Sequence, residues 1–182
     1  MQRQAGGRAA ANLLLGKACP CGKLTETWPI SYDDVISNDT FGEKTTHYKE
    51  SIYVGYRYYD KAKVSVRLPF GHGLSYTSFS YSDLKIDRKT VTATVQNTGK
   101  VSGSEIVQLY IEALQDGLHR PVKELKGFAK ISLAPGEKGH VTFPLCDRSF
   151  AVWFDGWKVF GGTYTIMVGA SCSDIRLTDT IK

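Results

Sequence analysis

The sequence predicts a mainly β protein, in which an immunoglobulin-like β-sandwich follows a small α/β segment. From Phe79 onward, apolar and polar residues alternate with a period of two, which is typical of strands that bury one face. Turn-forming residues divide this region into about seven short strands in about 100 residues, as in a sandwich. Before Phe79, a short helical stretch is followed by mixed strand and loop sequence.

The first segment is predicted to begin with a short helix over residues 8–15. Alanine and leucine are strong helix formers, and Ala10, Leu13 and Leu14 share one helical face. Gly16 is placed to end the helix in a left-handed conformation. Because so short a helix is marginal alone, we expect it to cover a sheet or another helix.

The residues after this helix predict a loop and then a strand. Residues 31–47 are polar and rich in Gly, Asp, Asn and Thr, which favour loops. Residues 52–59 are dominated by Tyr, Ile and Val, which favour a strand, and Asp60 would end it.

One strand of the sandwich is predicted to be central. Val107, Leu109 and Ile111 alternate on one face, and Ile106 and Tyr110 make the other face apolar as well. The sequence lacks the Cys…Trp…Cys pattern of true immunoglobulin domains, so a fibronectin type III-like sandwich fits best.

The other predicted strands show the same alternation. A phase slip at Ser82 and Asp83 predicts a bulge or bend in the first of them. A strand is also predicted over residues 125–133. The remaining alternating apolar residues are Phe79, Tyr81, Leu84, Ile86, Val91, Ala93, Val95, Val141, Phe143, Leu145, Phe150, Val152, Phe154, Trp157, Val159, Tyr164, Ile166 and Val168.

Several phrases resemble glycoside hydrolase family 3, in particular its β-glucosidases. Three of them follow the family's order: residues 22–29 (GKLTETWP), 50–60 (ESIYVGYRYYD) and 68–76 (LPFGHGLSY). Within the sandwich, residues 120–128 (RPVKELKGF) and 133–137 (LAPGE) are similar to the family too.

The resemblance implies three parts. Residues 1–62 would be the C-terminal remnant of the family's α/β sandwich domain, including its last helix and closing strands. Residues 63–78 would be a linker, and residues 79–182 would be a fibronectin type III-like domain.

The resemblance also implies a parent reaction, the hydrolysis of terminal β-linked sugars with retention, which requires two positioned carboxyl groups. In the family, the nucleophilic Asp lies in a barrel domain and the acid/base Glu in an earlier part of the α/β sandwich domain. Neither motif occurs in this sequence, so it offers no catalytic residue, and we expect the chain to be inactive alone. Its implied partners are the catalytic barrel and α/β sandwich domains. A stand-alone carbohydrate-binding module or an interaction subunit is the alternative.

Two tryptophans are the candidates for sugar binding. Trp153 is out of phase with its apolar neighbours, and Trp157 lies across a predicted turn at Asp155 and Gly156. Two rings on one face could stack on sugars, but tryptophan more often fills cores and interfaces. We expect at least one of the two rings to be buried.

Arg120 and Pro121 are the candidates for domain docking. They lie in a long connection, residues 113–123, between two predicted strands. An arginine supplies a planar fork for carboxylates and carbonyls, and proline stiffens the chain beside it. A solvated loop is the alternative interpretation.

Charge and cysteine content argue against other classes of protein. The net charge is +5, but basic and acidic residues are interspersed, which disfavours a nucleic-acid partner. The four cysteines and four histidines lack metal-ligand spacing, so we expect reduced thiols, no metal and no cofactor. The apolar run near the N-terminus is short and interrupted by Asn12, which predicts neither a signal peptide nor a membrane span but a cytoplasmic location.

Overall fold

A computed structural model describes residues 5–87, 89–114, 117 and 119–182 of the chain. It is mainly β, as predicted. The elements in chain order are α1 (Gly6–Leu14), β1 (Trp28–Pro29), two 3₁₀ helices (Tyr32–Asp34 and Asn38–Thr40), α2 (Tyr56–Ala62), β2 (Val66–Leu68), β3 (Phe79–Ile86), β4 (Thr90–Asn97), β5 (Gly103–Ala113), β6 (Glu124–Leu133), β7 (Lys138–Pro144), α3 (Asp147–Phe150), β8 (Val152–Trp153), β9 (Trp157–Lys158), β10 (Tyr164–Gly169) and β11 (Ile175–Ile181).

Two antiparallel sheets form the sandwich. One has the strand order β11-β10-β5-β6 and the other the order β3-β4-β7. The inner faces of both sheets share one apolar core, to which Val107, Leu109 and Ile111 of β5 contribute fully buried side chains. The prediction that this strand is central is therefore confirmed. Tyr110 on its other face is also buried, because a preceding part of the chain covers that face.

The predicted irregularity in the first sandwich strand is confirmed. The pairing of β3 with β4 shifts register between Ser82 and Lys85, and Asp83 has a φ of 53°. An aspartate tolerates this left-handed conformation better than most residues, which explains why the bulge falls there.

Residues 150–154 do not form the predicted strand. Phe150 ends the short helix α3, which begins where Cys146 and Ser149 exchange capping hydrogen bonds. Val152 and Trp153 then pair with β9 in a short hairpin whose strands are two residues long, and Phe154 is exposed. The edge strand β11, which pairs with β10, was not predicted from the sequence either.

In the N-terminal part, the helix is present but begins earlier than predicted, at Gly6. Gly16 has a φ of 67°, and its amide donates to the carbonyl of Leu13, so its predicted role at the helix end is confirmed. No residue of α1 is buried. Residues 31–47 are irregular apart from the two 3₁₀ turns, in agreement with the predicted loop.

The predicted strand over residues 52–59 is wrong. Gly55, with a φ of 60°, redirects the chain into helix α2, which ends at the left-handed Lys63. The helix places Tyr56 against the buried Tyr110 of the sandwich and against Phe70, which precedes the sandwich. Packing of this kind overrides the weak preference of tyrosine for strands. No described helix is long and apolar enough to cross a lipid bilayer.

Candidate functional site

The outer face of the four-stranded sheet is where the preceding segment meets the sandwich. Tyr56 of α2 lies 5.1 Å from the ring of Phe70 and 5.9 Å, edge to face, from Tyr110. The Leu125 amide donates a 2.8 Å hydrogen bond to the Tyr56 hydroxyl. Burial is the main reason why the pKa of the Tyr56 hydroxyl is raised. These contacts make a second, smaller core outside the sandwich.

A glutamine on the central strand ties the linker to the sheet. Gln108 is buried, and its side-chain amide donates to the carbonyls of Gly71, at 3.4 Å, and Ala170, at 2.9 Å. The Tyr110 hydroxyl donates to the oxygen of the same amide. Gly71 has a φ of 81°, and a Cβ there would overlap the Gln108 side chain. Glycine is therefore required at this point of closest approach.

Ion pairs surround this second core. Lys123 lies 2.7 Å from Asp60, and both side chains are mostly buried. Glu124 faces Arg57 of α2 at 3.5 Å, and Lys126 of its own strand at 3.2 Å. Burial is the main cause that lowers the pKa of Lys126. The Lys123–Asp60 and Glu124–Arg57 pairs hold α2 beside the beginning of β6.

Arg120 and Pro121, the docking candidates, are both buried within this chain. The Arg120 guanidinium donates to the Phe150 carbonyl and to Glu124, each at 3.4 Å. The Tyr53 hydroxyl donates to the Arg120 carbonyl at 3.5 Å. The loop therefore docks against the segment before α2, and contact with further domains stays a prediction. Gln115, Asp116 and Leu118 of this loop lie outside the described residues.

Both candidate tryptophans are exposed to solvent: the exposed fraction is 64% for Trp153 and 50% for Trp157. The prediction that at least one of the two rings is buried is therefore wrong. They face each other across the β8–β9 pair, and directly opposed residues project from the same side of a hairpin. Their ring centroids are 5.4 Å apart, at an interplanar angle of 72°. The Arg148 guanidinium stacks on the ring of Trp157. The pair is accessible, but it is not a flat platform.

A polar cleft of about 270 Å³ lies between the linker and one end of the sandwich. It is lined by two ion pairs, Lys23 with Glu105 at 2.8 Å and Arg176 with Asp174 at 2.8 Å. His72 completes one wall. This cleft was not predicted from the sequence, because its residues come from four separated segments and no local pattern marks them.

Four described carboxyl groups, those of Asp39, Asp83, Asp87 and Asp174, have a clearly displaced pKa. A general acid needs a raised pKa, whereas the displaced carboxyl pKa values among the described residues are all lowered. The main causes are hydrogen bonds from Lys49 to Asp39, from Ser82 to Asp83, from the Lys89 amide to Asp87 and from Arg176 to Asp174. The described residues also contain no cluster of three or more potential metal ligands.

Comparison with known proteins gives two matching family models. Residues 1–76 match the glycosyl hydrolase family 3 C-terminal domain, and residues 105–172 match a fibronectin type III-like domain. The chain belongs to glycoside hydrolase family 3. It corresponds to the C-terminal portion of the family's β-glucosidases.

Individual members of family 3 align along almost the whole chain. Thermostable β-glucosidase B of Acetivibrio thermocellus is 43% identical over 98% of this chain, which is 25% of that protein. Exo-α-(1→6)-L-arabinopyranosidase of Bifidobacterium breve is 39% identical, with the same two coverages. The solved structure of β-glucosidase 3B from Thermotoga neapolitana in complex with α-D-glucose is 41% identical, with a TM-score of 0.92 over 98% of this chain and 26% of that one. This family 3 chain thus spans about a quarter of the length of these relatives.

Proposed function

We propose that this chain is a non-catalytic portion of a β-glucosidase-like enzyme, and that it packs on the catalytic barrel and α/β sandwich domains and stabilises them. The parent reaction would be the hydrolysis of terminal β-linked sugars. The observation that carries the proposal is the contrast between the two parts of the chain in how much apolar surface each buries.

The N-terminal part lacks a core of its own. Among the described residues before Phe79, Tyr56 is the only buried hydrophobic residue. Exposed apolar residues in this number are typical of a surface that contacts further protein. The exposed large hydrophobic residues of this part are Leu14, Leu15, Trp28, Ile30, Tyr32, Phe41, Tyr48, Val54, Leu74 and Tyr76.

The sandwich, in contrast, closes its own core and holds the N-terminal part in place. Its core includes residues from both sheets. The Lys123–Asp60 and Glu124–Arg57 pairs cross to α2. A folded unit that presents an apolar surface in a fixed orientation is what a stabilising scaffold requires.

The chemistry of the chain supports a non-catalytic role. Retaining hydrolysis uses two carboxyl groups about 5–5.5 Å apart, one of which acts as a general acid with a raised pKa. The displaced carboxyl pKa values here are lowered by hydrogen bonds or ion pairs. The relatives include both β-glucosidases and an arabinopyranosidase, so we propose a terminal sugar as the substrate class and no single sugar.

Two experiments test the proposal. The purified chain should not hydrolyse aryl β-glucosides above a heat-inactivated control, and reproducible turnover after repurification would overturn the non-catalytic role. In the second experiment, this chain replaces the matching portion of the Thermotoga neapolitana enzyme. The graft should restore activity that a deletion of that portion abolishes.

A matched pair of variants tests whether the apolar surface is responsible. Leu15→Asp should abolish the rescue, because it places a charge on the exposed surface after α1. Val101→Asp changes an exposed apolar residue of the sandwich and should leave the rescue intact. Equal rescue by both variants would show that the N-terminal surface is not the contact.

The alternative function is a carbohydrate-binding module. The exposure of both Trp153 and Trp157 favours it. The angle between their rings and the Arg148 guanidinium on Trp157 oppose it, because stacking on successive sugars requires free and nearly parallel ring faces. We therefore place it second.

A further inference from the structure

The cleft between the linker and the sandwich is polar, and its charges are already balanced. Glu105 pairs with Lys23, and its side chain is only 8% exposed. Asp174 pairs with Arg176, which also donates to the Phe79 carbonyl. Two cations and two carboxylates face one another, so the ion pairs leave no net charge to attract an ion.

Several hydrogen-bonding groups of the cleft remain unused by the described residues. Glu105 Oε1 accepts from Lys23 and from the Ile106 amide, whereas its Oε2 accepts no described hydrogen bond. The Lys23 ammonium has three donors, and its described partner is Glu105 alone. The Ser171 hydroxyl accepts from two backbone amides and keeps its own proton for donation. The cleft therefore offers donors and acceptors side by side.

This arrangement selects the chemical class of a ligand. A charged ligand gains no net attraction from a site whose own charges cancel, and it would be repelled by the like-charged member of each pair. A hydroxyl group instead donates and accepts at once, so it can use the spare positions and leave both pairs intact. The volume of about 270 Å³ suits a compact molecule with several hydroxyl groups.

The walls of the cleft are held in place by the fold. Gly73 lines it, and a Cβ at this position would lie 2.6 Å from the Gly22 carbonyl and 2.7 Å from the Lys23 side chain. The Arg176 guanidinium lies 4.7 Å above the ring of Tyr81, whose hydroxyl is buried without a described hydrogen-bond partner. Backbone packing and stacking thus fix Lys23 and Arg176 before any ligand arrives.

We propose that this cleft is a binding site for a neutral polyol of monosaccharide size. The ligand's hydroxyls lie between the Lys23–Glu105 and Arg176–Asp174 pairs, with Ser171 and His72 beside them. This inference does not depend on the proposed function, because it rests on groups that this chain supplies alone.

The test is a titration of the 182-residue chain with D-glucose, followed residue by residue by NMR chemical shifts. Saturable shifts should appear at Lys23, His72, Glu105 and Ser171, with a Kd of about 1–50 mM, as expected for a small polar ligand in an open cleft. Glycerol, a smaller polyol, should bind more weakly. Glycine, a zwitterion, and inorganic phosphate should not bind.

Two variants locate the site. His72→Ala removes a cleft side chain that has no described hydrogen-bond partner, so the fold should survive, and we expect the glucose affinity to fall at least about fivefold, which is about 1 kcal/mol. The double variant Trp153→Ala/Trp157→Ala should bind glucose as the unmodified chain does. Loss of binding in the tryptophan variant alone would move the site to the hairpin and overturn the proposal. The absence of saturable shifts at about 100 mM glucose would overturn it as well.

Discussion

Leu109 is the residue at which the contribution of the sandwich core to stability can be measured. Its side chain is fully buried on the central strand β5. Replacement by alanine should lower the free energy of unfolding by about 2–5 kcal/mol, because the cavity left behind cannot fully collapse. Denaturant melts of the whole chain measure this loss. Leu114→Ala, at an exposed position just beyond β5, is the control and should cost less than about 0.5 kcal/mol.

Gly71 is a residue where backbone shape and packing act together. Gly71→Ala should destabilise the chain by about 1–3 kcal/mol, because a left-handed φ is strained for alanine and its Cβ would overlap Gln108. Gly136 also has a positive φ, but open space lies around its missing Cβ. Gly136→Ala therefore isolates the backbone cost, and thermal melts should show a smaller loss. Equal losses would mean that Gln108 moves aside freely.

Asp174 makes the free energy of unfolding depend on pH in the acidic range. The hydrogen bond from Arg176 is the main cause that holds the Asp174 pKa below its usual value. A carboxyl whose folded pKa is depressed stabilises the fold above its unfolded pKa, and this contribution is lost as the pH falls through about 4 and below. Asp174→Asn should flatten the fall in unfolding free energy over that range. Asp179→Asn, at a residue without an ion pair among the described residues, is the matched control variant.

At the scale of elements, the β8–β9 hairpin decides between scaffold and sugar-binding module. Titration of intrinsic fluorescence with cello-oligosaccharides should show no saturable binding at the tryptophans, because their rings are inclined at 72° and Arg148 covers one of them. Trp153→Ala and Trp157→Ala are the controls. Saturable binding that both substitutions abolish in folded protein would make the carbohydrate-binding role the leading one.

The sandwich strands could be predicted because alternation is a local property of the sequence. Val91, Ala93 and Val95 were identified from their spacing, and all three are buried. Helix α2 could not be predicted, because its tyrosines favour a strand when only the local sequence is considered. The contact between Tyr56 and Tyr110, which stabilises the helix, joins residues that are distant in the sequence.

For the candidate sites too, features that depend on neighbouring residues could be predicted from the sequence, and features that depend on distant residues could not. Trp153 was recognised as out of phase with its apolar neighbours, but the exposure of both tryptophans and the angle between their rings depend on the hairpin. The polar cleft needs Lys23, Glu105 and Asp174 to meet across more than half of the chain. No local pattern brings such residues together, so only the folded structure reveals the cleft.

At the scale of the whole molecule, the two parts should differ in local stability. Hydrogen exchange should be slow in residues 107–111 of the central strand and fast in residues 8–15, because α1 buries no side chain. The measurement is amide exchange of the isolated chain, with mass or NMR detection. Equal protection of both segments in a monomer would contradict the idea that the N-terminal part lacks its own core.

The ion pairs at the outer face of the sheet also constrain how such proteins diverge. Asp60 and Arg57 lie before the sandwich, and their partners Lys123 and Glu124 lie within it. Recombination between two relatives near residue 78 would join the N-terminal part of one protein to the sandwich of the other. A hybrid that inherits a carboxylate opposite another carboxylate would lose the attachment of α2. The charges at these positions should therefore covary, with a reversal on one side accompanied by a reversal on the other.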